Sequence, residues 1–377
     1  MAQSYEEMSV MLSVTTELGN EKNLQFNPAK SAMIIFNHTG LGEPREMKIQ
    51  GKHIEFEDEY KYLGITICNE PNYLLRQEQI WKREAHKALQ SLHAQSIWTF
   101  NRFEITRIQW MATGVPKLTY ANAVLASRAS RQITAIFDRT QVAAGKWAMG
   151  ITAHKVATEF VLGELGWSTF ESREAQSKIR YFARISAMDS DRWPRKCLSM
   201  MASTNIYTEA IARLNFLKKR FSCTDIPLEY TGDQSARFQL FNEQVKRRIK
   251  VKLSEQWTES MSSKSSLTLY RQWKVRGVTV RGLYTNSRGS TLLALARAGM
   301  LPTRAHRTKY EPLDPLCTKC GREVETIPHI IMKCEPYHSE TNELPRMLGL
   351  EGEGDDGTCE ETKRTLEEWE DEARRIR

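Results

Sequence analysis

The spacing of apolar residues along the chain changes character near Pro71. Before it, the runs are short. Ser4 with Glu7 three residues on forms a helix-start signature, and Met8, Met11, Leu12 and Thr15 give a helix over residues 4–18 one apolar face. Asn27-Pro28 marks a turn, and Ala32 to Phe36 reads as a short buried strand. Met47 and Ile49, then Ile54 and Phe56, alternate with polar residues around Gln50-Gly51, which predicts a hairpin. Tyr62 to Ile67, in YKYLGITI, reads as one further strand. The first 68 residues thus predict one helix and about four strands.

After Pro71 the period lengthens to that of a helix. Trp81, Ala85, Ala88 and Leu92 recur at steps of four, three and four. Ile133, Phe137, Thr140, Ala144 and Trp147 repeat the pattern, as do Ala175, Ile179, Phe182 and Ile185. Strand signals are nearly absent between residues 71 and 275. Over 237–253, Phe238, Phe241, Val245, Ile249 and Leu253 share one arc, with Arg247 and Lys250 opposite and Lys246 on the flank. Arg248 and Lys252 fall at the apolar rim, where long basic chains can lie along apolar surface. EGEGDDGTCEE, residues 351–361, reads as disordered, and Thr362 to Arg375 as a short terminal helix. The fold class expected is mainly α, with a small α+β part at the start. No internal repeat of fixed period is present.

Charge adds a direction. The net charge of +8 divides into +16 over residues 1–334 and −8 over 335–377. Residues 207–310 alone hold 20 Lys and Arg against 7 Asp and Glu. A basic body with an acidic tail suits a polyanionic partner, RNA or DNA, and the alternative is a solvated basic face. Lys246, Arg247, Arg248 and Lys250 are the first candidates for phosphate contacts. Arg271, Lys274, Arg276 and Arg281, interleaved with Tyr270, Trp273 and Tyr284, are the second. No run of eighteen apolar residues exists, so no membrane span is expected. The polar N-terminus lacks the features of a signal peptide, so an intracellular protein, nuclear or cytoplasmic, is expected.

Seven cysteines are too few for a disulfide framework. Three of them join a histidine in CTKCGREVETIPHIIMKC, giving Cys317, Cys320, His329 and Cys334 at C-x2-C-x8-H-x4-C. Soft thiolates and an imidazole at this spacing suit a tetrahedral, structural Zn2+. His329 and Cys334 can both face one ion if the turn loosens near Cys334. His338 is a weaker candidate. Cys68, Cys197, Cys223 and Cys359 are scattered, and Cys359 reads as an exposed thiol in the acidic tail. Asp355-Asp356 follows no apolar strand and reads as a solvated loop rather than a metal site.

Together these blocks resemble a known family. NLQFNPAKS followed by YKYLGITI is similar to the end of the palm in reverse transcriptases of non-LTR (LINE-type) retrotransposons, where a Gly/Asn-Leu-x-x-Asn-x-x-Lys-Ser/Thr block precedes a Tyr-x-Tyr-Leu-Gly block. The cysteine–histidine module, with Glu325-Thr326 before His329, resembles the CCHC knuckle of the same proteins. The resemblance implies a late palm remnant over 1–69, a helical thumb over 70–204 and a basic helical linker over 205–310. A knuckle over 311–338 and an acidic, partly disordered tail over 339–377 complete it.

By the same resemblance, Lys30 would lie near the incoming nucleotide's phosphates, and Tyr62, Leu63 and Gly64 would grip the primer end. MAQS is similar to the stretch that follows the family's Tyr/Phe-Ala-Asp-Asp turn, so the resemblance implies a chain lacking the catalytic aspartates. No polymerase activity and no small-molecule substrate are then expected, and Mg2+ would serve only the intact parent enzyme. Two other readings stay open: a host-recruited zinc-containing nucleic-acid-binding or adaptor module, and a decayed insertion with no selected function.

Overall fold

The computed structural model describes residues 2–36, 45–96, 101–127, 129–204, 208–227, 234–274, 282–334, 343–350 and 356–375. The protein is mainly helical, with three small two-stranded sheets among the described residues. It divides into two units, Met1–Arg83 and Glu84–Arg377.

In the first unit, helix α1 (Tyr5–Glu21) starts where Ser4 Oγ accepts from the Glu7 amide at 3.1 Å. The reciprocal bond differs from the expected capping box, because Glu7 accepts from the amide of Gln3 rather than of Ser4. Of the expected apolar face, Met8 and Leu12 are half-buried and Met11 is exposed. Strand β1 (Ala32–Met33) pairs in parallel with β4 (Glu55–Phe56). The run expected as a buried strand to Phe36 pairs only over these two residues, and they are half-buried. Strands β2 (Lys48–Ile49) and β3 (Lys52–His53) form the expected hairpin, with φ of +47° at Gln50 and +75° at Gly51. Both values belong to a two-residue turn whose twist matches its strands.

YKYLGITI corrects the reading of a single strand. It contains most of a hairpin, β5 (Glu59–Tyr62) and β6 (Ile65–Cys68), turned at Leu63-Gly64 with φ of +46° and +83°. The alternation that mimics one strand is two strands of opposite exposure. Tyr62 is exposed, whereas Ile65 and Cys68 are buried with Ile49, Ile54 and Leu74 in the unit's core.

Helix α2 (Leu75–Ser96) begins in the first unit and continues into the second. There α3 (Arg102–Gln109) runs through a π-helical turn at Trp110–Gly114 into α4 (Val115–Thr119). Helices α5 (Ser130–Ala148), α6 (Thr158–Leu165) and α7 (Phe170–Ser186) follow, then α8 (Trp193–Ser203), α9 (Glu209–Arg220) and α10 (Gln234–Ser262). The faces expected on α5 and α7 are the ones buried, through Ile133, Phe137 and Ala144, and through Ala175, Ile179, Phe182 and Ile185. Ile179, Phe182, Leu214, Leu217, Phe241, Val245, Ile249 and Leu253 make one core between α7, α9 and α10. Each such side chain, fully buried, stabilises the fold by about 1.5–3 kcal/mol. Helix α10 outruns its expected end at 253 because its apolar row continues by steps of four to Trp257 and Met261, both buried.

Helices α11 (Thr268–Trp273), α12 (Arg288–Arg297), α13 (Arg304–Arg307), α14 (Ile327–Ile331), α15 (Glu343–Met347) and α16 (Asp356–Arg375) complete the chain. The acidic tail departs most from expectation. Helix α16 starts at Asp356, inside the stretch read as disordered, and Cys359, Thr362 and Leu366 are buried on it. Cys359 is therefore not an exposed thiol. These three residues, at steps of three and four, form a stripe on a helix that packs on α12, α14 and α15.

Candidate metal centre

The CTKCGREVETIPHIIMKC segment folds as a tight loop, a one-pair bridge and a short helix. Leu316 pairs with Val324, the Cys317 amide donates to the Glu323 carbonyl at 2.8 Å, and the Gly321 amide donates to the Cys317 carbonyl at 2.8 Å. Gly321, at φ +62°, turns the chain so that Cys317 and Cys320 come to one side. Thr326 caps α14 by accepting from the His329 amide at 3.3 Å. The helix buries Ile330 and Ile331 and presents His329. The turn then loosens where the ligand spacing requires it. Lys333 and Cys334 take left-handed φ of +55° and +63°, and the Cys334 amide donates to the His329 carbonyl at 3.0 Å.

The donor atoms of Cys317, Cys320, His329 and Cys334 all lie within 4.8 Å of one another, so the four could hold a metal ion. Cys317 Sγ is 3.7 Å from Cys334 Sγ, and Cys320 Sγ is 3.5 Å from His329 Nε2. On the far side of the ring, His329 Nδ1 lies 3.1 Å from Glu323 Oε2. That contact turns Nε2 toward the thiols and makes the imidazole a better ligand. The backbone amides of Arg322 and Glu323 hold the Cys320 thiol down at about 7. Burial, then the neighbouring Cys317 thiol, push Cys334 up to about 12. A cation among the four would relieve this crowding of thiols.

The cluster is seated on α16. Lys333 Nζ pairs with Glu361 at 2.8 Å and Lys319 Nζ approaches Glu372 to 3.8 Å. On its other side α16 grips the start of α12. Arg288 Nη2 is 2.8 Å from Asp371, and the Gly289 amide donates to Glu367 Oε1 at 2.5 Å.

The expected nucleic-acid residues divide sharply. Lys246, Arg247 and Lys250 are exposed on α10, with Glu243 3.7 Å from Lys246. Arg248 is turned aside to Asp225 at 2.7 Å and the Ser222 carbonyl at 3.0 Å. Arg271 is exposed and donates to the Ser262 carbonyl at 2.8 Å. Lys274 is buried, with its ammonium 3.5 Å from Glu164, and cannot reach a phosphate. Tyr270 and Tyr284 are buried beside it, so they offer no stacking face. Arg276 and Arg281 lie outside the described residues, as does His338. In the first unit Lys30 is exposed, and its carbonyl accepts from the Tyr60 hydroxyl of β5 at 2.7 Å. Tyr62, Leu63 and Gly64 stand exposed at the tip of the β5–β6 hairpin.

Sequence reasoning missed the carboxylate that draws in Lys274. Glu164 is fully buried and accepts from Tyr270 Oη at 2.7 Å, from Arg297 Nη2 at 2.8 Å and from Tyr284 Oη. Burial alone would raise its carboxyl, but the Arg297 and Lys274 charges outweigh it and hold Glu164 down at about 2. Burial lowers the Lys274 ammonium, with Glu164 opposing. Arg297 also donates to the carbonyls of Leu348 and Gly349, so the cluster ties α6, α11 and α12 to the turn after α15. A lone acid in the apolar run FVLGELGW was the available signal.

Among the described residues no helix is long and apolar enough to cross a membrane. No protein-family model, curated protein or solved structure matches the chain.

Proposed function

We propose that this protein is a zinc-stabilised nucleic-acid-binding chain, corresponding to the late palm, thumb and knuckle of a LINE-type reverse transcriptase. The Cys3His cluster carries the reading. A tetrahedral Zn2+ with bonds of about 2.3 Å to sulfur and 2.0–2.1 Å to nitrogen puts two sulfurs about 3.8 Å apart and sulfur and nitrogen about 3.6 Å apart. The 3.7 Å and 3.5 Å edges of the cluster match that figure. Three thiolates and an imidazole favour Zn2+ over Mg2+ or Ca2+, which take oxygen. With four protein donors the ion would be structural, and its binding would stabilise the lobe by on the order of 10 kcal/mol.

The binding face in this reading is the outer side of α10, where Lys246, Arg247 and Lys250 are exposed while the inner side is core. The YLG hairpin tip, with Tyr62 and Leu63 projecting, suits contact with a nucleic-acid end. The 377 residues contain no Tyr/Phe-Ala-Asp-Asp block, so binding without template copying is expected of this chain. The test combines metal analysis with fluorescence anisotropy on RNA and DNA across a salt series. The double variant R247E/K250E should weaken binding and flatten the slope of log K against log salt, by about 0.7–0.9 for each phosphate no longer neutralised. Wild-type protein that holds no zinc, or binds no nucleic acid at low salt, would sink the reading. Template-dependent extension of a primer would overturn the expectation about copying.

A further inference from the structure

A second basic, aromatic surface lies on α8, a helix to which no motif in the sequence draws attention. Helix α8 has no buried residue, although α7 packs beside it and its Leu198 touches the α7–α9–α10 core. Its outward row is Trp193, Cys197 and Met200, spaced four and three apart, so they share one side. Trp193 is 77% exposed and Met200 63%. A tryptophan that open on a packed helical body is an unusual use of an apolar side chain.

The tryptophan is already dressed with charge. The Lys196 ammonium sits 5.3 Å from the centroid of its ring, and Arg192, just before it, is exposed. Arg180 and Arg184 are exposed on neighbouring α7, and Asp189 and Asp191 are the acids of the intervening turn. Pro194 in the first turn of α8 stiffens the start of the helix that carries the ring. The Lys196 ammonium lies over one face of the ring, and a largely exposed indole among cations is a means by which proteins hold unpaired bases. The ring stacks on a base, and the cations reach the phosphates on either side of it. A duplex would offer the cations its phosphates but leave the ring with nothing to stack on.

We propose that Trp193, with Lys196 and Arg192, forms a stacking platform for single-stranded nucleic acid on α8. This rests on the nucleic-acid reading above, adding a second contact surface and a preference for unpaired bases. Because Trp193 is exposed and α8 meets the core through Leu198 instead, its removal should leave the fold intact.

The experiment uses the full, metal-loaded chain, with dye-labelled 20-nucleotide oligo(dT), oligo(U) and a duplex of equal length as probes. Trp193→Ala should weaken single-strand binding about tenfold and leave the duplex unchanged. The salt slope should stay as in wild type, because the substitution removes no cation. Trp193→Phe should keep most of the affinity, and Lys196→Glu should flatten the slope. The oligo(dT) and oligo(U) arms report whether DNA or RNA is the better ligand of the platform. Unchanged single-strand binding by Trp193→Ala, with R247E/K250E still weakened, would overturn the platform and leave the nucleic-acid reading standing. Wild-type protein that binds none of the probes would bring down both. A wild-type self-association that Trp193→Ala abolishes while oligonucleotide affinity holds would make α8 a protein interface and overturn the platform.

Discussion

Glu323 lies six residues before His329, yet the fold brings its carboxylate to the ring nitrogen that faces away from the thiols. Glu323→Gln should keep the four ligands and lower zinc affinity about tenfold or more, measured by competition with a chromophoric chelator. A buried and a half-buried carboxyl make opposite predictions with pH. Glu164 is held below its ordinary 4.5, at about 2, so its contribution is fully present above about 4.5 and is lost as pH falls toward 2. Glu164→Gln leaves Arg297 and Lys274 without a counter-charge and should cost about 3–5 kcal/mol at pH 7. That cost should shrink on acidification, as read from urea unfolding midpoints. Asp138 runs the other way. Burial pushes its carboxyl from 3.8 up to about 6, with the Phe170 amide and Arg173 only partly opposing. The fold favours its neutral form, so stability declines as pH rises from about 4 to 6. Asp138→Asn can still accept from the Phe170 amide and should stabilise the protein by about 1 kcal/mol at pH 7, with no gain at pH 4.

At the scale of elements, the metal cluster, α14 and α16 form one mechanical assembly. The cluster shapes the turn after α14, α14 buries Ile330 and Ile331, and the buried row of Cys359, Thr362 and Leu366 lies on α16, which packs on it. Chelation should therefore release more than the knuckle. Amide hydrogen exchange should rise over 327–334 and 356–375 together while α5 and α7 stay protected. Exchange that rises in the knuckle alone would separate α16 from the metal. The expected helices on α1, α5, α7 and α10 were legible because an apolar period of three to four residues is a local property. The YLG hairpin was not, since a two-residue turn of positive φ hides inside an alternation that also fits one strand.

For the molecule as a whole, the acidic C-terminal segment is a structural part rather than a solvated appendage. Acids of α16 pair with Arg288, Lys319 and Lys333, and the helix packs on α12, which buries Leu292 and Leu293. A chain ending at Leu350 would uncover part of that apolar surface. It should lose most of its soluble yield, or aggregate on heating well below the full chain, in a light-scattering melt. A truncated chain as soluble and heat-stable as the full one would count against this role for α16. The charge division of +16 and −8 was countable from the sequence, but the partners of the acids were not.

What the sequence by itself determined follows from short-range chemistry. The helical periods, the Gln50-Gly51 turn and the C-x2-C-x8-H-x4-C ligand set all lie within one element or one loop, where spacing fixes geometry. Tertiary structure alone decided which charges face water. Lys250 and Lys274 look alike in the sequence, yet one stands on the open side of α10 and the other is drawn inside by Glu164, 110 residues away. A buried carboxylate recruits its counter-charges from whatever elements pack around it, and that packing is set by the whole core rather than by neighbours in the chain.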